Sequence, residues 1–210
     1  MIDPRFSEDE QAERLKEWWK KNGTSIIFGV VIGVGSIAGV NYWRDYTRTQ
    51  FENASARFVQ LLASQGDESQ QIGAELMQDY AGTPYAGLTS LYRAKEYYQA
   101  GETEQAVSML RWARDSSKQS VIKHSATLRL ARILLEQDNL KEAAGLANVK
   151  QFDGFTSEYK ELQGDIAMSN GDFGAARAAY EQALSELPRG SEYSDLMLLK
   201  LDQSIGVSKQ

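Results

Sequence analysis

No charged residue occurs between Lys21 and Arg44. The 22 uncharged residues from Asn22 to Trp43 are centred on Ser25–Val40, SIIFGVVIGVGSIAGV. About 20 helical residues, rising about 1.5 Å each, cross a bilayer core of about 30 Å. Inside lipid a lone segment can satisfy its backbone polar groups only as a helix. The run therefore predicts one transmembrane helix over 23–43. It separates an N-terminal arm, 1–22, from a body, 44–205, with a loose tail at 206–210. Trp18 and Trp19 on one side, and Tyr42 and Trp43 on the other, suit interfacial belts and support a span. A buried core helix would rarely carry so long an uncharged run. A cleaved signal peptide is the closer rival, because Ser36-Ile37-Ala38 offers small residues at cleavage-like spacing. The long polar arm and the aromatic pair directly after the run favour retention.

Orientation follows the basic residues nearest the span. Arg14, Lys16, Lys20 and Lys21 precede it; Arg44, Arg48 and Arg57 follow. The Lys20-Lys21 pair tips the balance, placing the arm in the cytoplasm and the body across the membrane. Ser7-Glu8-Asp9-Glu10 reads as a capping box for a helix carrying Ala12, Leu15, Trp18 and Trp19 on one stripe. That stripe suits either a membrane-surface helix or a plain lead into the span. Asn22-Gly23-Thr24 is expected to break the chain between arm and span.

Two GxxxG patterns lie within the span, Gly29 to Gly33 and Gly35 to Gly39. Gly29, Gly33 and Ser36 share one helical face. Such grooves let a second helix approach closely, gaining van der Waals contact. Glycine is also simply common in membrane helices, so the pattern serves either a partner helix or none.

Beyond the span the chain is amphipathic and helical, beginning with Phe51, Ala54, Phe58 and Leu61 or Leu62. Gln65-Gly66-Asp67 ends this helix. A second one follows with Ile72, Leu76 and Tyr80, and Gly82-Thr83-Pro84 stops it. A repeat then appears. Gly101-Glu102-Thr103-Glu104-Gln105-Ala106 aligns with Asp138-Asn139-Leu140-Lys141-Glu142-Ala143 and with Gly171-Asp172-Phe173-Gly174-Ala175-Ala176. The intervals of 37 and 33 residues bracket the roughly 34-residue period of tetratricopeptide helix pairs. Ala94, Ala131 and Gly164 stand where a first helix must be small to admit its partner. Leu110, Ala147 and Tyr180 follow the repeat alanines by four, and Ala113 and Ala183 by seven, where the second copy departs with Lys150. Glu192–Ile205, carrying Leu196, Leu199 and Leu201, should close the stack. The expected fold class is all-α: a single transmembrane helix followed by a tetratricopeptide-like α-solenoid.

The protein carries a net charge of −6. The first 43 residues hold five basic and six acidic side chains, leaving the body at −5. A diffuse acidic body does not suit phosphate backbones, so nucleic acid is not an expected partner. Cysteine is absent, which removes disulfides and thiolate metal sites. The sole histidine, His124, has neither a second histidine nor a nucleophile motif beside it. A structural or surface role is expected, with no catalytic residue, metal or cofactor. Glu158 and Glu161 read as a solvated acidic face.

Solenoids bind partners on their concave face. Counting back from the repeat alanines, inner-helix positions include Leu91, Lys95, Tyr98, Leu128, Arg132, Leu135, Asp165 and Met168. Leu91, Leu128 and Leu135 are better core residues than contacts. Lys95, Tyr98, Arg132, Asp165 and Met168 remain as candidate binding positions.

NGTSIIFGVVIGVGSIAGVNYW after an acidic arm with paired aromatics, then TPYAGLTSLYRAKEYYQAGETEQA and SNGDFGAARAAYEQAL, resembles the YfgM-type ancillary subunits of the bacterial SecYEG translocon. The resemblance covers almost the whole chain and is most specific at the span. It implies an inner-membrane anchor with a periplasmic body. It also implies partners: the SecYEG translocon, the periplasmic chaperone PpiD, membrane lipid and unfolded exported polypeptides. A repeat scaffold for another envelope process, such as cell-wall assembly or stress signalling, is the alternative function. An envelope hydrolase is a remote one.

Overall fold

The computed structural model describes residues 8–207. Among them the chain forms nine α-helices and no strand. The first helix, α1 (Glu8–Ala63), runs 56 residues without interruption. The expected break at Asn22-Gly23-Thr24 is absent. Glycine permits a break but does not force one, and no proline follows to remove a backbone donor. The local side chains instead complete the helix. Asn22 Nδ2 donates to the Trp18 carbonyl at 2.9 Å, and the Trp19 indole lies across Gly23, where an added Cβ would meet it at 3.1 Å. The capping box rests on Ser7, which lies outside the described residues. So does the tail from Ser208 onward, although the last helix continues as far as Val207.

The chain forms two compact units, Met1–Gln50 and Phe51–Gln210. In the first, α1 contains an apolar window with a mean hydropathy of 2.0, long enough to cross a membrane, and only 6% of that window is buried. A helix from a soluble core would be mostly buried, and this one is not. Its apolar side chains, Ile27 through Val40, lie exposed in the chain itself.

The second unit is a stack of helix pairs. The last turns of α1 pack on α2 (Gly66–Asp79) through Ala54, Leu61, Ile72 and Leu76. Of the two leucines open to choice, Leu61 is buried and Leu62 exposed. Three further pairs follow: α3 (Pro84–Gln99) with α4 (Thr103–Ser116), α5 (Ser120–Glu136) with α6 (Leu140–Ala147), and α7 (Thr156–Ser169) with α8 (Phe173–Glu186). The final helix, α9 (Tyr193–Val207), packs on α8.

Each repeat signature begins at the turn inside a pair. Gly101, Asp138 and Gly171 all have positive φ, at 79°, 60° and 74°. Around each, the chain makes the same two bonds. The Glu102 N–H donates to the Tyr97 carbonyl and the Gly101 N–H to Tyr98; Asn139 and Asp138 donate likewise to Leu134 and Leu135, and Asp172 and Gly171 to Ala167 and Met168. This double bond is the Schellman cap, which satisfies carbonyls that a helix end leaves open. In the second and third copies the next residue then caps the following helix: Asp172 Oδ1 accepts from the Ala175 N–H at 2.9 Å, and Asn139 Oδ1 from Glu142 at 3.4 Å; Glu102 makes no such side-chain bond. The repeat is thus a reversal of direction written in backbone conformation.

Pair packing depends on residue size. Ala94, Ala131 and Gly164 are all buried on first helices. At Gly164 the space is taken by the Tyr180 ring, which a Cβ would meet at 2.4 Å. The copy with the largest second-helix residue therefore has the smallest first-helix residue. The second copy departs more strongly: α6 has only eight residues. Lys150 falls beyond it, in a loop whose Phe152 and Phe155 pack against the core in place of a longer helix.

The closing helix is rotated from its expected phase. Met197 and Ser204 are buried, whereas Leu196 and Leu199 are 41% and 55% exposed and Leu201 is half-buried. Lys200 sets this phase by reaching the carboxylates of α7, as described below.

Glycine positions separate cleanly into packed and open ones. Gly164→Ala should lower unfolding free energy by about 1–3 kcal/mol, the usual cost of overpacking. Gly145→Ala, in open space on α6, should instead raise it by about 0.5–1 kcal/mol through helix propensity. Urea denaturation of both variants checks the contrast.

Candidate functional site

First helices of successive pairs line one face of the second unit, and polar contacts join them in sequence. Tyr98 on α3 donates its hydroxyl to Glu136 Oε2 on α5 at 2.6 Å. Arg132 on α5 donates to Glu161 Oε2 on α7 at 3.2 Å. Lys200 on α9 donates to Glu161 Oε1 and Asp165 Oδ1, both at 2.7 Å. On the second helices, Arg111 of α4 meets Glu142 of α6 at 2.7 Å.

A groove of about 420 Å³ opens between α3 and α5, lined by Ala94, Lys95, Tyr98, Leu110, Arg129, Arg132, Ile133 and Glu136. Its floor is aliphatic: Ala94 and Ile133 from the first helices, and Leu110 from α4 beneath. Its rim carries Lys95, Arg129, Arg132 and the Tyr98–Glu136 pair. The Tyr98 ring is 42% exposed. The hydrogen bond to the Glu136 carboxylate pushes its phenol above the ordinary tyrosine range, so it stays a neutral donor.

The structure brings three of the five candidate binding residues together here: Lys95, Tyr98 and Arg132. Asp165 and Met168 do not line this groove. Asp165 is taken by Lys200 and by the Tyr180 hydroxyl at 2.8 Å. Met168 is half-buried near the end of α7. The reason is positional. The repeat after Asp165 is the closing helix, and its Lys200 fills the place that a ligand would need. Leu91 and Leu128 are buried and Leu135 is packed against the core.

Glu161 is no solvated charge. Its side chain is 12% exposed and meets both Arg132 and Lys200. Tyr180, buried beside Asp165, has its phenol pushed far above the usual value, first by burial and then by that carboxylate. Lys200 also lies 5.8 Å from the Tyr180 ring centroid. Arg132, Glu161, Lys200, Asp165 and Tyr180 thus form one network tying α5, α7, α8 and α9.

Two charged groove residues escaped the sequence reasoning, Arg129 and Glu136. Arg129 lies one turn before Arg132, and Glu136 one turn after it, so helical spacing alone would have found them. His124 is half-buried, on the structural side of the two roles open to it. Its Nδ1 lies 2.8 Å from the buried Tyr159 hydroxyl, and its ring stacks on Phe155 with centroids 5.1 Å apart.

In the first unit, an added Cβ at Gly29, Gly33, Gly35 or Gly39 would meet nothing within 4 Å beyond the adjoining backbone of its own helix. Ser36 donates its hydroxyl to the Ile32 carbonyl at 2.7 Å, inside its own helix.

A stack of Schellman-turned helix pairs with an apolar leading helix defines a helical-repeat protein of tetratricopeptide type. The profile of the tetratricopeptide repeat-like domain family matches residues 16–205. Among curated proteins, an ancillary SecYEG translocon subunit of Haemophilus influenzae (strain ATCC 51907 / DSM 11121 / KW20 / Rd) is 30% identical over 85% of this chain and 89% of its own length. Proteins of the same description from Escherichia coli (strain K12) and Aggregatibacter actinomycetemcomitans are 26% and 29% identical, over 83% and 85% of the chain and 86% and 89% of their own lengths. The chain belongs to this family of tetratricopeptide-like ancillary translocon subunits. No solved structure matches it.

Lys200 is the one cation shared by Glu161 and Asp165 within the network. Lys200→Met should leave those carboxylates facing each other and cost about 2 kcal/mol, between the exposed and fully buried ion-pair values. A melting temperature equal to that of the parent chain would show that the network does not hold α9.

Proposed function

We propose that this protein is a non-enzymatic, inner-membrane-anchored repeat adaptor of the SecYEG translocon. One observation carries the reading. The family match begins at residue 16, before the apolar run, and ends at residue 205, in the closing helix. Anchor and repeat body are therefore shared as one unit with proteins described as translocon subunits. Residues 1–22 serve as the arm, 23–43 as the anchor and 44–205 as the body. The body lies in the periplasm, where it meets the chaperone PpiD and assists exported chains.

The division of labour follows from what each part offers. Between two helices in lipid, hydrophobicity gives no net attraction, so close packing over small residues decides association. The span presents Gly29, Gly33 and Ser36 on one face and Gly35 and Gly39 on another. The body offers concave residues to polypeptide. Co-purification of SecYEG components and PpiD with the full chain, solubilised in mild detergent, tests the adaptor reading. Recovery of neither would overturn it.

Topology is checked separately. Protease added to spheroplasts should remove the body and spare the arm, because Lys20 and Lys21 hold the N-terminal side in the cytoplasm. A protected body would reverse the orientation.

Gly33→Leu and Gly39→Leu probe the two glycine faces. A Cβ added at either position meets open space, and both lie outside the repeat body, so folding of the body should be unchanged. Each should reduce recovery of translocon components by forfeiting close helix contact. Undiminished recovery with both substitutions would place association outside the span.

A further inference from the structure

The groove between α3 and α5 has a charge opposite to that of the domain that contains it. The body is acidic overall, yet Lys95, Arg129 and Arg132 converge on this groove's rim against one carboxylate, Glu136. That carboxylate is already engaged by the Tyr98 hydroxyl. Arg132 is shared with Glu161. Lys95 and Arg129 are both exposed, and among the described residues neither makes an ion pair. Two cations thus stand free above a floor of Ala94, Leu110 and Ile133.

We propose that this groove binds an extended polypeptide segment in which Asp or Glu side chains alternate with apolar ones. The inference rests on the adaptor reading only for the origin of that segment, an exported chain. Charge complementarity selects the occupant. A field from an acidic body draws basic segments to the surface at large, but walls of low dielectric focus the local positive charge inside a cleft. The aliphatic floor needs an apolar side chain, and the exposed Tyr98 ring supplies a further contact face. About 420 Å³ lies at the small end of ligand pockets, which run from roughly 300 to 1,000 Å³. That is room for a short stretch rather than a folded element.

The cations are distributed to match an extended chain. Arg129 and Arg132 are a helical turn apart on α5, and Lys95 faces them from α3. Carboxylates on alternate residues of an extended segment fall about 6.6 Å apart on one side, so two can be met while the residue between them turns away. Side-chain carboxylates, not a chain terminus, are the recognised groups, because the cations lie on both walls of an open groove.

The test is a binding titration on the full chain in neutral detergent, with empty micelles as the blank. The probe is a ten-residue peptide alternating Glu with Leu and Phe, acetylated and amidated, carrying an uncharged dye. A twin replaces every Glu with Gln, and a third version of that Gln twin has a free carboxylate end. At low salt the Glu peptide should bind at least tenfold tighter than the Gln twin, and added salt should close the gap. Lys95→Gln and Arg129→Gln should each weaken it about threefold and together about tenfold, in the range for exposed charge pairs. Melting should be unchanged, since both residues are exposed. The wild-type comparison of Glu and Gln peptides stands even if a variant misfolds. Equal affinity of the two peptides, undiminished binding by a folded double variant, or recovery of full affinity by the free-ended Gln peptide would overturn the proposal. Co-purification with SecYEG decides the adaptor reading independently. Glu-selective binding without co-purification removes that reading and keeps the groove; co-purification with no Glu preference does the reverse.

Discussion

Everything in the repeat body depends on two helices approaching closely within each pair. That approach requires a small residue on the first helix opposite whatever the second presents. Gly164 beneath the Tyr180 ring is the extreme case: an added Cβ would sit 2.4 Å from a ring carbon. Once the pairs close, their outer apolar faces have no cover except the next pair. Stacking is therefore obligatory, and the concave surface is a by-product of it. The positive-φ residue at each turn serves the same end, since it reverses the chain in few residues while satisfying the open carbonyls.

The ion network at the C-terminal end performs the closure that a terminal repeat must supply. Glu161 and Asp165 sit where an inner face would continue. Lys200 meets both, and Tyr180 donates to Asp165 from behind. These groups are partly removed from water, so each needs its partners. The network orients α9 by charge more than by its leucines, which leaves Leu196, Leu198 and Leu199 exposed. It also reaches the groove through Arg132, which contacts Glu161 on one side and lines the pocket on the other. The binding surface and the capping device thus share a residue.

Much of the architecture was legible in the sequence. The uncharged run, the repeat period, the small positions on first helices and the break at Thr83-Pro84 all follow from local chemistry. Side-chain partnership was less legible. Glu161 reads as solvated because acidic residues spaced along a helix usually are; its true setting depends on Lys200, 39 positions away. Asn22-Gly23-Thr24 reads as a break because those residues tolerate one, yet Trp19 covers the glycine and the helix continues. Arg129 stands outside the repeat-derived inner positions of α5, which are Leu128, Arg132 and Leu135.

By itself the sequence determined which segments are apolar, which are helical and how often the pattern returns, because hydrophobic periodicity and backbone preference act within one or two turns. Only the tertiary structure decided which residues of the inner face are free. Lys95, Arg132 and Asp165 occupy equivalent places in three successive repeats, yet among the described residues the first makes no ion pair, the second is shared and the third is consumed. The difference lies in the neighbouring helix: the carboxylate that α5 brings, Glu136, is engaged by Tyr98 rather than Lys95, α7 gives Arg132 Glu161, and α9 brings Lys200 onto Asp165. Charge pairing between helices is set by who stacks next, which no single repeat encodes.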